Sequence, residues 1–200
     1  MSEILVNTIK KADGTGSITV PSETGTVLTS ASDIPAANLT GSLPAGMGGK
    51  VLQAVSATKT DTSSTTGVGW VDITGLSVSI TPTSASSKFL IFYNLEYGTY
   101  STGGFYCRLL RDGTPILLGD AAGSRVQVSN GTQYSYTSQS LYSAVGNYLD
   151  SPSATSAIVY KLQFQSYASG LVYINRTPTD TDRADYIRAA STITVMEIAG

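Results

Sequence analysis

Tyrosine is the side chain in this sequence best suited to touching something else, and there are twelve in 200 residues. Tyr97, Tyr100 and Tyr106 flank the stretch 98–104, and Tyr134, Tyr136, Tyr142 and Tyr148 crowd a second region. Tyrosine offers an apolar ring face and a polar tip at small entropic cost, which suits stacking on sugars or on protein partners. It is equally at home on strands, in ordinary β-packing and at subunit interfaces. These seven are the candidate binding residues, on expected loops spanning 97–104 and 134–148. The carboxylates offer less. Asp180-Thr181-Asp182-Arg183-Ala184-Asp185 has acids two and three apart, but the spacing is not that of an EF-hand loop and Arg183 sits inside it. A solvated loop is the expectation there. Glu96, Asp120, Asp150 and Asp185 are the acids from which a glycosidase pair would have to come, and nothing in the sequence brings two of them to the ~5–10 Å such chemistry needs. Histidine is absent, which removes the commonest general base and transition-metal ligand. The expectation is a protein that is not an enzyme, with no catalytic residue, metal or cofactor.

The other motifs are equally bland. Gly14-Thr15-Gly16 lacks the third glycine and the strand–helix unit of a dinucleotide loop. Asn38-Leu39-Thr40, Asn130-Gly131-Thr132 and Asn175-Arg176-Thr177 match the glycosylation sequon by chance in a chain rich in Ser and Thr. One cysteine, Cys107, excludes an intrachain disulfide and reads as a small buried residue. Charged residues are 13% and the net charge is −2, so no footprint for nucleic acid is visible. Met1-Ser2-Glu3-Ile4 has neither a basic nor an apolar region of a secretory signal, and no stretch approaches the ~20 apolar residues of a membrane helix. Synthesis in a reducing cytoplasm without membrane insertion is expected.

The elements that must position these residues fall into two parts. Residues 1–49 mix short β-patterned pieces (Ile4–Ile9, Ser17–Val20, Gly25–Thr29) with Gly, Pro, Ser and Thr, and hold no apolar run that could make a core. Unpaired strand edges are a liability, so such a lead is expected to find its partners on other chains. Ile4, Val6, Ile9, Ile18 and Val20 are its candidate anchor residues. The stretch 34–46, with Pro35 and Pro44, reads as an extended linker.

Residues 50–200 alternate as an all-β domain does. In 88–97, Phe89, Ile91, Tyr93, Leu95 and Tyr97 form a core set, while the opposite set is mixed, as on a central strand or one covered by a neighbouring subunit. Thr74-Gly75 predicts a bulge and Arg111-Asp112-Gly113-Thr114 a hairpin turn. Ile158, Tyr160, Leu162 and Phe164 share one face of the clearest strand, and 191–198 ends the chain as another. A short strand is expected at 125–128 and one helical turn within 176–188. Eight or so strands and no long amphipathic helix predict an antiparallel β-sandwich, jelly-roll-like, behind an extended N-terminal segment.

The lead (Ser2–Ile9, Gly14–Pro21, Gly25–Thr29), the shaft-like stretch 34–44, and the body pieces Trp70–Pro82 and Arg108–Gly113 resemble those of the small tail-fibre and structural proteins of tailed bacteriophages. The resemblance implies a homotrimer, with residues 1–49 docked on other virion proteins and a sandwich head similar to trimeric jelly rolls of the tumour-necrosis-factor type. It implies a place in the virion and a head that binds a host surface glycan or protein, the seven tyrosines being the receptor-binding candidates. The alternative it leaves open is a purely structural head-fibre, decoration or baseplate adaptor protein that binds only other virion proteins. The lead has room for barely one shaft repeat, so a short spike is expected in place of a long fibre.

Overall fold

The computed structural model describes residues 8–10, 17–19, 51–100, 104–133, 140–168 and 170–200. The chain divides into two units, 1–45 and 46–200. In the first, β1 (Thr8–Lys10) and β2 (Ser17–Thr19) pair antiparallel with Ile9 opposite Ile18. The other anchor candidates, Ile4, Val6 and Val20, lie outside the described residues.

The second unit is two antiparallel sheets, and no helix occurs among the described residues. In the first sheet β3 (Val51–Lys59), β13 (Ser191–Ile198), β6 (Lys88–Thr99) and β10 (Tyr142–Asp150) lie side by side. β12 (Val172–Ile174) continues beside the far end of β6, and β4 (Ser63–Thr65) pairs with β12. The second sheet runs β5 (Val71–Ile80), β11 (Ile158–Ser166), β7 (Phe105–Arg111), β8 (Thr114–Ile116), with β9 (Asn130–Thr132) also on β7.

Period-2 patterning explains the core. Phe89, Ile91, Tyr93, Leu95 and Tyr97 of β6 are all buried, as are Ile158, Tyr160, Leu162 and Phe164 of β11 and Ile193 and Val195 of β13. They meet Leu76, Val78 and Ile80 of β5 and Phe105, Cys107 and Leu109 of β7 between the sheets. Burial pushes the Cys107 thiol up to about 12, so it stays protonated at neutral pH. Gly75 (φ 90°) sits where the β5–β11 register slips, the expected bulge. Asp112 and Gly113 take φ of 48° and 83°, the expected tight turn, and Asp112 Oδ1 accepts a hydrogen bond from Val159 N at 2.8 Å.

Polar side chains pin the sandwich where its strands end. Glu197, on the final strand, is inaccessible; its Oε1 accepts from both N and Oγ1 of Thr83, at 2.7 and 2.6 Å, and its Oε2 from Gln53 Nε2 at 2.6 Å. Burial alone would raise this carboxyl, but the donors outweigh it and hold it at about 2. Asn175, buried at φ 62°, donates to the carbonyls of Lys59 and Asp61 and accepts from Ser191 Oγ, joining β12 to β3 and β13. Asp150 accepts from Arg111 Nη1 at 2.7 Å and from the Tyr160 hydroxyl at 2.7 Å.

Two local expectations are corrected and a third is narrowed. Residues 142–148, expected as loop, belong to β10, because pairing with β6 overrides their polar composition. Residues 125–128 form no strand; β9 lies a few residues later at Asn130–Thr132. The stretch 176–188 forms no helix; it holds a single hydrogen-bonded turn, Tyr186 N donating to the Arg183 carbonyl at 3.2 Å, between the bridged Arg176 and Arg188.

Candidate functional site

The outward face of the first sheet is an ordered grid. Its rows follow from register: Val145–Asn94–Thr192–Thr58, then Asn147–Phe92–Thr194–Ser56, then Leu149–Leu90–Met196–Ala54. None of these twelve side chains carries a charge. Val145, Leu149 and Phe92 are 61%, 50% and 42% exposed, and Val51 and Leu52 extend the apolar area at the β3 end. Four strands at about 4.8 Å spacing and three rows about 6.7 Å apart make roughly 400 Å² in projection. Contiguous apolar patches of a few hundred Å² mark interaction surfaces on soluble proteins.

The middle of the grid is dished. A cavity of about 280 Å³ opens between Phe92, Asn94, Val145, Asn147, Thr192 and Thr194. Asn94 Oδ1 is buried with no hydrogen-bond partner among the described residues. Gly146 keeps this part of β10 thin. A Cβ built there would collide with the ring of Tyr93, its cross-strand partner, whose ring lies beneath the glycine on the core side.

The sequence-selected tyrosines do not converge. Tyr97 is core, stacked 3.8 Å from Phe105 and 5.7 Å from Tyr142. Tyr142 and Tyr148 are half-buried on β10 against the same core. Tyr100 meets Tyr173 edge-on at 6.0 Å, near the stack of Arg176 on Tyr173. Tyr106 lies on the outward face of the second sheet, in edge contact with Tyr167 at 6.0 Å. Tyr134 and Tyr136 lie outside the described residues. Sequence reasoning passed over Tyr167 and Arg125, which share a cleft with Tyr106.

The acids stay apart as well. Asp150 is committed to Arg111 and Tyr160, Glu96 accepts from Ser143 Oγ, and Asp185 pairs with Arg183. No cluster of three metal-ligating residues occurs among the described residues. Asn175 and Thr177 are inaccessible, so that sequon is not available to a modifying enzyme.

No known protein family matches the chain, and no curated protein matches it. Among solved structures, the chain is similar to those of infectious bursal disease virus, Gt and Gx strains. The TM-score is 0.39 for each, at 16% and 15% identity, over 74% of this chain. The chain spans 38% and 37% of the lengths of the chains it matches.

Proposed function

We propose that this protein is a virion fibre protein. Its residues 1–49 dock on other virion proteins, and its β-sandwich forms a homotrimeric head through the uncharged grid of the first sheet. The second sheet then faces outward, toward the host cell surface. One observation carries the reading: twelve adjoining outward positions on β3, β13, β6 and β10 hold no charge, and Val145, Leu149 and Phe92 are exposed among them.

A second copy of this chain is the favoured occupant for three physical reasons. The grid supplies about half of the ~800 Å² that each partner gives to a standard interface, and Val51 and Ile198 continue it in a row that ends on Lys88. Its composition, one aliphatic row beside two rows of amides and hydroxyls around Phe92, is depleted in charge as an interface core is. The buried Asn94 Oδ1 would gain a donor from the neighbouring copy. The phage-fibre resemblance of the lead and body supplies the remaining support.

Light scattering on the full-length chain tests the proposal. A mass of three chains is expected, falling toward one chain in Val145→Asp and Phe92→Asp, since a buried unpaired charge is costly at an interface. Both residues are exposed in the single chain, so the far-ultraviolet spectrum should not change. A monomeric parent, or a trimer that ignores both substitutions, would overturn it.

A further inference from the structure

The second sheet carries a cleft of about 430 Å³ on the face away from the core. Its floor is Tyr106, which points outward from β7 between inward-facing Phe105 and Cys107. Gly131 of β9 makes room for that ring; a Cβ there would come within 2.8 Å of Tyr106 Cδ1 and 2.7 Å of the Phe105 carbonyl. Tyr167 stands at the rim, 46% exposed, with its ring at 66° to that of Tyr106. Thr132 and Gln133 form one side, and the exposed Arg125 and Val126 the other.

Arg125 is the unusual member. Arg111, Arg176, Arg183 and Arg188 each pair with a carboxylate, and Arg108 hydrogen-bonds Gln163 Oε1 and covers Trp70. Among the described residues, the Arg125 side chain has only the Ala122 carbonyl, at 3.4 Å. No carboxylate lines the cleft among the described residues. In a chain of net charge −2, this is a concave site with one uncommitted guanidinium and no anion.

We propose that this cleft binds a carboxylate-bearing saccharide. Each part of the site fits one part of such a ligand. Arg125 offers a forked pair of donors that matches a carboxylate. The exposed ring of Tyr167 offers a flat apolar face to the C–H side of a sugar ring. Thr132, Gln133 and Ser124 supply donors and acceptors for ring hydroxyls. The volume falls in the ~300–1,000 Å³ range of small-ligand sites. A bare phosphate would leave the aromatic wall unused, and a neutral sugar would leave the arginine unused. The inference rests on the outward-facing role given to this sheet above; repeated clefts on one assembly would raise a weak single-site affinity by avidity.

The test is calorimetric titration of the full-length protein with trigalacturonate, and with maltotriose as the neutral counterpart. Saturable binding of trigalacturonate is expected, at least about tenfold tighter than maltotriose. Arg125→Gln should weaken trigalacturonate about tenfold, the scale of a lost charge-assisted hydrogen bond, and leave maltotriose unchanged. Arg125 is exposed, so melting should not move; Tyr167→Ala should weaken both ligands. No saturable binding, equal affinity for the two sugars, or an Arg125→Gln protein that binds as the parent does would overturn the proposal. So would displacement by inorganic phosphate at the same concentration, which would make this a simple anion site. Light scattering of the same samples reports assembly separately: saccharide binding by a monomer would refute the trimer and leave the cleft standing.

Discussion

Two buried tyrosines should respond with opposite sign to the same small change. Tyr93 is 4% exposed, and its buried hydroxyl faces only the Cys107 thiol, a weak partner that makes no well-formed hydrogen bond to it. Tyr160 is fully buried, and its hydroxyl donates to Asp150 Oδ2 at 2.7 Å. Burial pushes both phenols well above their ordinary range, so neither ionises near neutral pH and only hydrogen bonding separates them. Tyr93→Phe removes a desolvated polar atom that gains little in return from a protonated thiol. A buried unsatisfied group costs about 1–3 kcal/mol, so the substitution should stabilise by about 1 kcal/mol. Tyr160→Phe removes a bond to a charged acceptor, worth about 1.5–3 kcal/mol. Arg111 stays on Asp150 at 2.7 Å, which keeps the loss near the middle of that range, about 2 kcal/mol. For a unit of this size, 1 kcal/mol moves the melting midpoint by about 2–4 °C. Thermal melts of the full chain at pH 7 should therefore place Tyr93→Phe about 2–4 °C above the parent and Tyr160→Phe about 4–8 °C below. If both variants fall together, the Tyr93 hydroxyl has a partner and the reasoning fails.

Glu197→Gln should destabilise the protein at pH 7, because Gln presents an N–H₂ group to donors that now meet a carboxylate. The parent Glu197 has a folded value of about 2 against an ordinary 4.5, so its contribution is present above pH 4.5 and is lost as pH falls toward 2. Denaturant melts from pH 7 to pH 2 should show the variant losing less stability across that window; parallel curves would contradict this. Gly146→Val should destabilise by about 1–3 kcal/mol through overpacking against Tyr93, and far less in a Tyr93→Ala background. Additive losses in that double-mutant cycle would refute the contact.

What the sequence revealed follows the strength of its alternation. β6, β11 and β13 were readable because their buried sets are apolar at every second position. β10 was not, because its alternation is weak. Its inward positions mix Tyr142, Ala144 and Tyr148 with Gly146 and Asp150, and its outward ones mix Val145 and Leu149 with Ser143 and Asn147, so neither face stands out. The grid left one trace in the sequence: the mixed outward set of 88–97, with Leu90 and Phe92. Its continuation onto β3, β10 and β13 depends on register, which pairing between distant segments sets. Tyr106 was singled out from its residue type, but the uncommitted state of Arg125 is a property of neighbours in space. Tyr97 shows the converse, since a tyrosine beside a supposed loop lies in the core.

The first and last strands of the sandwich are partners, and Val51 stands opposite Ile198. The chain therefore enters and leaves this unit at one pole, which sets how it bears mechanical load. Tension applied between Val51 and Ile198 opens the β3–β13 ladder as a zipper, one pair after another. Tension carried through Val51 against a grip elsewhere on the sandwich pulls β3 lengthwise, and its eight registered pairs resist together. A particle tethered through the lead and held by the head would load the unit in this second, stronger direction.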